Sequence, residues 1–262
     1  MIKDSFGDRM KQYEDTESMR KLDSALPILI RLDGRAFHTL TKNLEKPFAF
    51  GFQQLMKQTT VYLAEETNAI VAYTQSDEIS LVLVTKPDSE AYFGGRVQKI
   101  CSALAAACSV KFNYELSGVY PCLGMKFPTF DCRVWNVPNL LEAANTILWR
   151  HQDAVKNSIS MAAHAYLGHK KVQGLNGEEK KRLLLSEKNI RWEDYSETSK
   201  HGCLILKKTI ETPFTTEEIE KLPLKHEARN NPELKIKRQK HTVTPFPVGL
   251  GGSELSKLWF QG

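Results

Sequence analysis

The stretch Ile70 to Val84, IVAYTQSDEISLVLV, constrains the fold of this chain more than any other. Two apolar, β-rich arms flank one polar knot, Gln75-Ser76-Asp77-Glu78. Along the second arm Ile79, Leu81 and Leu83 alternate with Ser80, Val82 and Val84, so neither face is strongly polar. That pattern predicts a central strand pair covered on both sides. Two adjacent carboxylates at its tip repel one another unless a cation or a cationic side chain sits there. An acidic β-turn is the plain alternative, and the hairpin taken alone favours it.

The flanking sequence supplies what such a hairpin packs against. Pro27 to Asp33 reads as a short buried strand that runs into a carboxylate, and Gly34 follows at once, where a glycine permits close approach of the backbone. Residues 1 to 24 read as a charged amphipathic helix on the domain edge. Phe52, Leu55, Met56, Thr59 and Leu63 recur at helical spacing, which predicts a helix over about 48–67. After the hairpin, Phe93, Val97, Ile100, Leu104 and Cys108 form the apolar stripe of a second helix, with Arg96 and Lys99 sharing its polar face. Cys122 to Phe127 and Asp131 to Val137 read as strands. Pro138-Asn139 opens a helix that continues to about Leu167 and carries Arg150, Asp153 and Asn157 as a polar stripe, ordinarily a solvated face. A short helix follows at Glu178 to Leu185, then a strand at Cys203 to Leu206. From about residue 211 the chain is rich in Pro, Glu and Lys and reads as an irregular basic extension.

Strands and helices thus alternate in a way that suits an α+β fold, an antiparallel sheet backed by helices on one side, not a doubly wound parallel sheet. In 262 residues this makes one main domain over 1–210 with a C-terminal extension, 211–262, packed on it. The five cysteines are odd in number, widely spaced and without a CxxC pair, so a disulfide framework or zinc site is not expected. No apolar run of membrane-spanning length occurs, and a cytoplasmic protein with no membrane partner is the expectation. The net charge of +5 is compatible with a polyanion such as RNA or a nucleotide phosphate without demanding one.

If the first strand lies beside the hairpin, Asp33 and Asp77 converge at one end of the sheet. Oxygen ligands of that kind suit Mg²⁺, which takes one or two carboxylates together with substrate phosphates. Backbone N–H groups from Gly34 to His38 are candidates for phosphate oxygens, and Arg35 and Lys46 for nearby positive charge. No GxxxxGK[ST] or HExxH motif is present.

The run RLDGRAFHTLTKN at Arg31 to Asn43, followed by Lys46-Pro47, resembles the start of the tRNA-histidine guanylyltransferases and their relatives, and YTQSDEISLVL at Tyr73 to Leu83 resembles that family's second acidic motif. FDCRVW (Phe130 to Trp135), RHQDAVKNS (Arg150 to Ser158) and LLLSEKNIRW with a following HGCLILKK are further similarities, covering roughly residues 25 to 208 in order. The resemblance implies a polymerase-palm-like, ferredoxin-like fold. It implies addition of nucleotides to the 5′ end of tRNA in the 3′-to-5′ direction, with GTP and ATP as substrates. The 5′-monophosphate is activated with ATP, and the 3′-hydroxyl of an incoming nucleoside triphosphate then attacks it. It implies two Mg²⁺ ions on Asp33, Asp77 and the Gly34 carbonyl. Asp33, Gly34, Arg35, Ala36, Phe37, His38, Lys46, Ser76 and Asp77 would surround the nucleotide. Asp33, Asp77 and Glu78 make up the catalytic acidic set, with Glu78 left open between a metal-site residue and a brace of the hairpin. Arg96, Lys99, Arg133 and Lys188 are candidates for a second triphosphate or for tRNA phosphates, and Asp153 and Asn157 fit the family's helix pattern. The family's partners are tRNA and nucleoside triphosphates, and its assembly a homotetramer.

One departure matters. Eukaryotic members carry His-Ile-Asn-Asn where this chain has Val155-Lys156-Asn157-Ser158, so only Asn157 is kept. The chain is thus most similar to the guanylyltransferase-like 3′-to-5′ polymerase branch, which repairs 5′-truncated tRNA on a template, and non-templated addition of G−1 to tRNA-His is in doubt. Two other readings are a palm-type nucleotide cyclase, which shares the two-carboxylate site, and a non-catalytic RNA-binding α+β module. The latter lacks the aromatic [KR]G[FY][GA]FVx[FY] pattern and leaves the acidic residues unexplained.

Overall fold

The computed structural model describes residues 5–231 and 233–260. Helix α1 (Ser5–Ser18) precedes strand β1 (Ile28–Gly34), the single turn α2 (Phe37–Leu40) and helix α3 (Phe50–Thr67). The hairpin β2 (Val71–Gln75) and β3 (Glu78–Leu83) follows, then α4 (Val97–Val119), the short α5 (Pro121–Gly124) and β4 (Phe130–Asn136). The long α6 (Leu140–Leu167) leads through α7 (His169–Val172), α8 (Gly177–Lys188) and α9 (Glu197–His201) to β5 (Cys203–Pro213). Then come α10 (Thr216–Lys221), β6 (Lys235–Thr244) and α11 (Gly252–Phe260). The six strands form one sheet in the order β4-β1-β3-β2-β5-β6, every adjacent pair antiparallel.

Alternation along the strands builds two cores. Ile28, Ile30, Leu32, Ile79, Leu81 and Leu83 pack with Leu55, Leu63, Ile100, Leu104 and Phe112 of α3 and α4. On the other face Leu29, Val71, Tyr73, Val82, Leu204 and Leu206 pack with Ala143, Ala144 and Ile147 of α6 and Leu255 and Trp259 of α11. The two-sided cover expected of the hairpin is therefore present, while helices on one side of the sheet alone are not: the apolar faces of β1, β2, β3 and β5 each need a partner.

Local signals account for the element ends. Asn139 caps α6 by accepting from the Glu142 N–H at 2.9 Å, and Asn68 closes α3 in the left-handed region with φ 55°. Three expectations need correcting. Cys122 to Phe127 is not a strand: Pro121 starts a helical turn, Met125 and Phe127 are 80% and 75% exposed, and the outer edge of β1 is already taken by β4 from Phe130 onward. Phe93 lies outside the helical stripe, in a kinked turn at Tyr92–Gly95 that precedes α4. The region after residue 211 is not irregular, because β5 runs on to Pro213 and pairs residue for residue with β6, from Leu204↔Thr244 to Pro213↔Lys235. The lead-in is helical as expected, but no residue of α1 is buried, and Met1 to Asp4 lie outside the described residues.

Candidate active site at the hairpin tip

Alternation of β1 puts Asp33 on the same face as Leu29, the face that looks toward α6. It stands directly opposite Glu78 of β3 on one side and Asp131 of β4 on the other, a row of three carboxylates across three strands. Such a row is repulsive unless each member is compensated. Glu78 is: Arg150 of α6 donates to both its oxygens, at 2.6 and 2.7 Å, and reaches Asp153 at 3.1 Å. Asp131 lies 3.3 Å from the Arg133 guanidinium. Among the described residues Asp33 forms no ion pair.

Asp77 joins this row from the hairpin turn. The Gly34 N–H donates to the Asp77 carbonyl at 3.0 Å, which clamps the end of β1 to the tip. A side chain at position 34 does not fit, since a Cβ there would lie 2.5 Å from the Phe37 ring and 2.9 Å from the Asp77 Cβ. Ser76 adopts φ 55° and its hydroxyl donates to Asp77 Oδ1 at 3.1 Å. Burial holds the Asp77 carboxyl above the ordinary carboxylate range; its own N–H and Ser76 oppose this, and Asp33 and Glu78 add to it. Among the described residues no basic side chain pairs with Asp77.

Two carboxylates and the adjacent Gly34 carbonyl, uncompensated at one strand end, form a donor set of hard oxygens. It suits a cation that shares its coordination with substrate phosphates and water. No cluster of three or more His, Cys, Asp or Glu poised for an all-protein metal cage occurs among the described residues.

Two cavities meet at the tip and share Gln75, Ser76, Asp77 and Met161. The first, about 410 Å³, is lined by Gly34, Ala36, Phe37 and His38, by Lys46 to Ala49, and by Phe52, Gln53 and Met56 of α3. Ala36, at φ 57°, turns the chain from β1 into α2. The Phe37 ring is buried against Phe130, Phe112 and Phe52 at centroid distances of 4.9, 5.3 and 6.1 Å, so it anchors this loop to the core. Lys46 lines the mouth, its ammonium donating to the Thr41 carbonyl at 3.1 Å. The second cavity, about 430 Å³, lies toward α6 and is lined by Asp33, Glu78, Arg150, Asn157 and His164.

The structure thus gathers Asp33, Gly34, Ala36, Phe37, His38, Lys46, Ser76, Asp77, Glu78 and Asn157 around the two cavities, with Asp153 behind Arg150. Arg35 lines neither; it is exposed, its N–H donating to the Thr129 carbonyl at 2.9 Å. Arg133 lies on edge strand β4, and Lys188 is exposed at the end of α8. Arg96 and Lys99 are far removed. Asp33 pairs with Asp131, whereas Asn136, at the other end of β4, bonds Asp23, and the adjoining Lys21 and Leu22 dock on Arg96 and Gly95. They therefore lie at the opposite end of the sheet from Asp33. The sequence did not single out Gln53, Met161 or Cys203 as lining residues, or Arg150 as the partner of Glu78; the i, i+3 spacing marks Arg150 and Asp153 as a pair, and nothing local ties Arg150 to Glu78.

The family model for tRNAHis guanylyltransferase (Thg1) matches residues 7–138. An uncharacterised protein of Acanthamoeba polyphaga mimivirus is 30% identical over 235 residues, 81% of this chain and 80% of that protein. The tRNA(His) guanylyltransferase of Schizosaccharomyces pombe is 28% identical over 219 residues, 77% of this chain and 80% of that one. Among solved structures, a bacterial tRNA(His) guanylyltransferase (Thg1)-like protein in complex with ATP superposes with a TM-score of 0.73 at 40% identity, covering 78% of this chain and 87% of that one. A bacterial protein of the same description in complex with GTP gives 0.72 at 31% identity, covering 98% of each.

Proposed function

This chain belongs to the tRNAHis guanylyltransferase family, a family of nucleotidyltransferases, and from that premise we propose that it adds nucleotides to the 5′ end of tRNA in the 3′-to-5′ direction. The observation that carries the reading is the pair of uncompensated carboxylates, Asp33 and Asp77, clamped together by the Gly34–Asp77 backbone bond where two cavities meet. A polymerising site needs that arrangement: one place for an incoming nucleotide, one for the acceptor end, and acidic oxygens between them.

The incoming nucleoside triphosphate occupies the first cavity, with its phosphates toward Ala36, Phe37 and His38, Lys46 supplying positive charge and Ser76 a hydroxyl contact. That bacterial relatives are solved in complex with ATP and GTP supports nucleotide binding by this chain. Asp33, Asp77 and the Gly34 carbonyl would hold two Mg²⁺ ions, which lower the barrier by neutralising charge on the attacking and leaving oxygens. The chain's own part is alignment. The hairpin tip orients the nucleotide, and the second cavity, with Asn157, admits the RNA end. The loss of the His, the Ile and the final Asn of the 155–158 motif favours template-dependent repair of 5′-truncated tRNA over dedicated G−1 addition. ATP activates the 5′-monophosphate first. The enzyme is a cytoplasmic homotetramer on this reading, and the position of Arg96 and Lys99 supports the assembly. They lie at the wrong end of their own sheet for the hairpin tip and would serve RNA or the site of a neighbouring subunit.

The test is incubation with Mg²⁺, ATP, labelled GTP and a tRNA lacking its first nucleotide, beside Asp77→Ala. Template-matched 5′ extension is expected, and its loss in the variant. No incorporation with any tRNA, together with cyclic nucleotide formed from GTP alone, overturns the reading in favour of a cyclase.

A further inference from the structure

Building on that reading, we propose that Trp149, with Arg31 beside it, is a stacking platform for the 5′-terminal nucleotide of the RNA acceptor. Trp149 lies on α6 and is 53% exposed, whereas Trp192 and Trp259 are buried. It is nonetheless held in place. The Arg150 guanidinium lies 4.6 Å from the ring centroid and that of Arg31 5.9 Å. Arg150 is itself fixed by its two bonds to Glu78 and one to Asp153. An indole immobilised this way while half in water loses little further freedom when a flat partner lands on it.

The surroundings say what that partner is. Arg31 is two residues before Asp33 on the same face of β1, about 7 Å along the strand. Its direct neighbour on β4 is Arg133, and like charges facing one another across strands destabilise a sheet unless an anion lies between them. Arg31 has no carboxylate partner among the described residues, and Arg133 has only the half-exposed Asp131. A half-exposed indole with the guanidinium of Arg31 over it and that of Arg133 beside Arg31, next to the acidic pair, fits a ligand that is flat at one end and anionic at the other, a nucleotide whose phosphate draws Arg31 off the ring as its base lands there. The incoming triphosphate has its own cavity, which draws on α3, so the α6 side is left for the acceptor strand. The base of the terminal nucleotide lies on Trp149 and its phosphate near Arg31 and Arg133. Every base offers a π-face, so the platform accepts any 5′-terminal residue, as a templated enzyme requires.

The test uses the full chain as Trp149→Ala and Trp149→Phe. Stacking contributes roughly 1–3 kcal/mol per base, so Trp149→Ala raises KM for a 5′-truncated tRNA about 5- to 150-fold and leaves KM for GTP unchanged. Trp149→Phe keeps most of the activity. A second readout needs no turnover. Titration with a 5′-monophosphorylated hairpin RNA quenches the intrinsic fluorescence of the wild type, and Trp149→Phe loses that quench while still shifting the RNA in a gel. If wild type adds no nucleotide yet the Trp149-dependent quench is present, the platform stands and the proposed reaction falls. An unchanged KM for RNA in Trp149→Ala, a quench that survives in Trp149→Phe, or no binding of the hairpin RNA overturns the platform. So does a Trp149→Ala effect confined to oligomeric state in sedimentation, which makes the residue a protein–protein contact.

Discussion

Arg150 assigns different roles to the two neighbouring carboxylates at the hairpin tip. Its guanidinium takes up both oxygens of Glu78, whose charge is then spent inside the protein, and leaves Asp77 open to the cavities. The two side chains are only 14% and 18% exposed, so removing one partner leaves the other charge poorly solvated beside Asp33 and Asp77. Arg150→Met is therefore expected to lower stability by about 2–4 kcal/mol, measured from the urea midpoint, while the double variant Arg150→Met/Glu78→Gln recovers a good part of the loss. A single variant within ~0.5 kcal/mol of wild type would falsify the brace. At this scale the placement of Asp33-Gly34 at a strand end and of Asp77 at a hairpin tip was legible, because a carboxylate closing an apolar run is a local pattern. The sequence left Glu78 undecided because the deciding residue is 72 positions away on another helix.

At the scale of elements, periodicity succeeded where the apolar pattern of a segment is regular, whether it covers one face, as in the helices, or both, as in β3. Helices α3 and α6 and strands β1, β3 and β4 lie close to where their apolar spacing places them. It failed where burial is decided by neighbours. The segment Cys122 to Phe127 is apolar enough for a strand, yet Pro121 turns it into a helical end and the side of β1 it would pair with is taken by β4. Lys235 to Lys240 is too charged to read as a strand, yet it pairs with β5 as a two-stranded ribbon with polar residues on its faces. Beyond the ribbon, α11 lays Leu255 and Trp259 against α6 and the second core. The last helix is thus part of the fold's interior. Leu255→Ala, which opens a cavity at a fully buried position, is expected to cost about 2–5 kcal/mol in a single cooperative urea transition. A loss below ~0.5 kcal/mol, or an early separate transition of the C-terminal segment, contradicts that placement.

Across the whole molecule, one histidine pair, His151 buried and His201 partly so, joins the pieces. His151 of α6 lies 3.0 Å, Nε2 to Nδ1, from His201 at the end of α9, and its ring stacks on Phe246, between β6 and α11, with centroids 3.7 Å apart. Tyr73 of β2 donates to the His201 carbonyl at 2.8 Å, and Glu197 and Lys200 are the charged groups of α9 near the pair. Burial, with His201 close by, pushes the His151 imidazolium down to about 4; burial also lowers His201, which Glu197 partly offsets. The sign follows from proton counting. Above about pH 6.5 both rings are neutral whether the chain is folded or not, and this contribution is constant. Below it the unfolded chain takes up protons that the folded one refuses, so stability falls as pH drops from about 6.5 toward 4 and levels off beneath that value. At 1.36 kcal/mol per pKa unit, His151 accounts for about 3 kcal/mol of that loss. Urea midpoints measured from pH 7.5 to 4.5 are expected to decline along this curve, and His151→Gln, less stable at neutral pH, to decline less steeply. An equal slope in the variant assigns the acid sensitivity to the carboxylates instead. Because the pair touches β2, α6, α9 and the segment leading to α11, the C-terminal segment and the α6 side of the candidate site are expected to unfold in acid as one unit. Loss of the Trp149-dependent fluorescence response is therefore expected together with the global acid transition, and not across the interval in which stability declines while the chain stays folded.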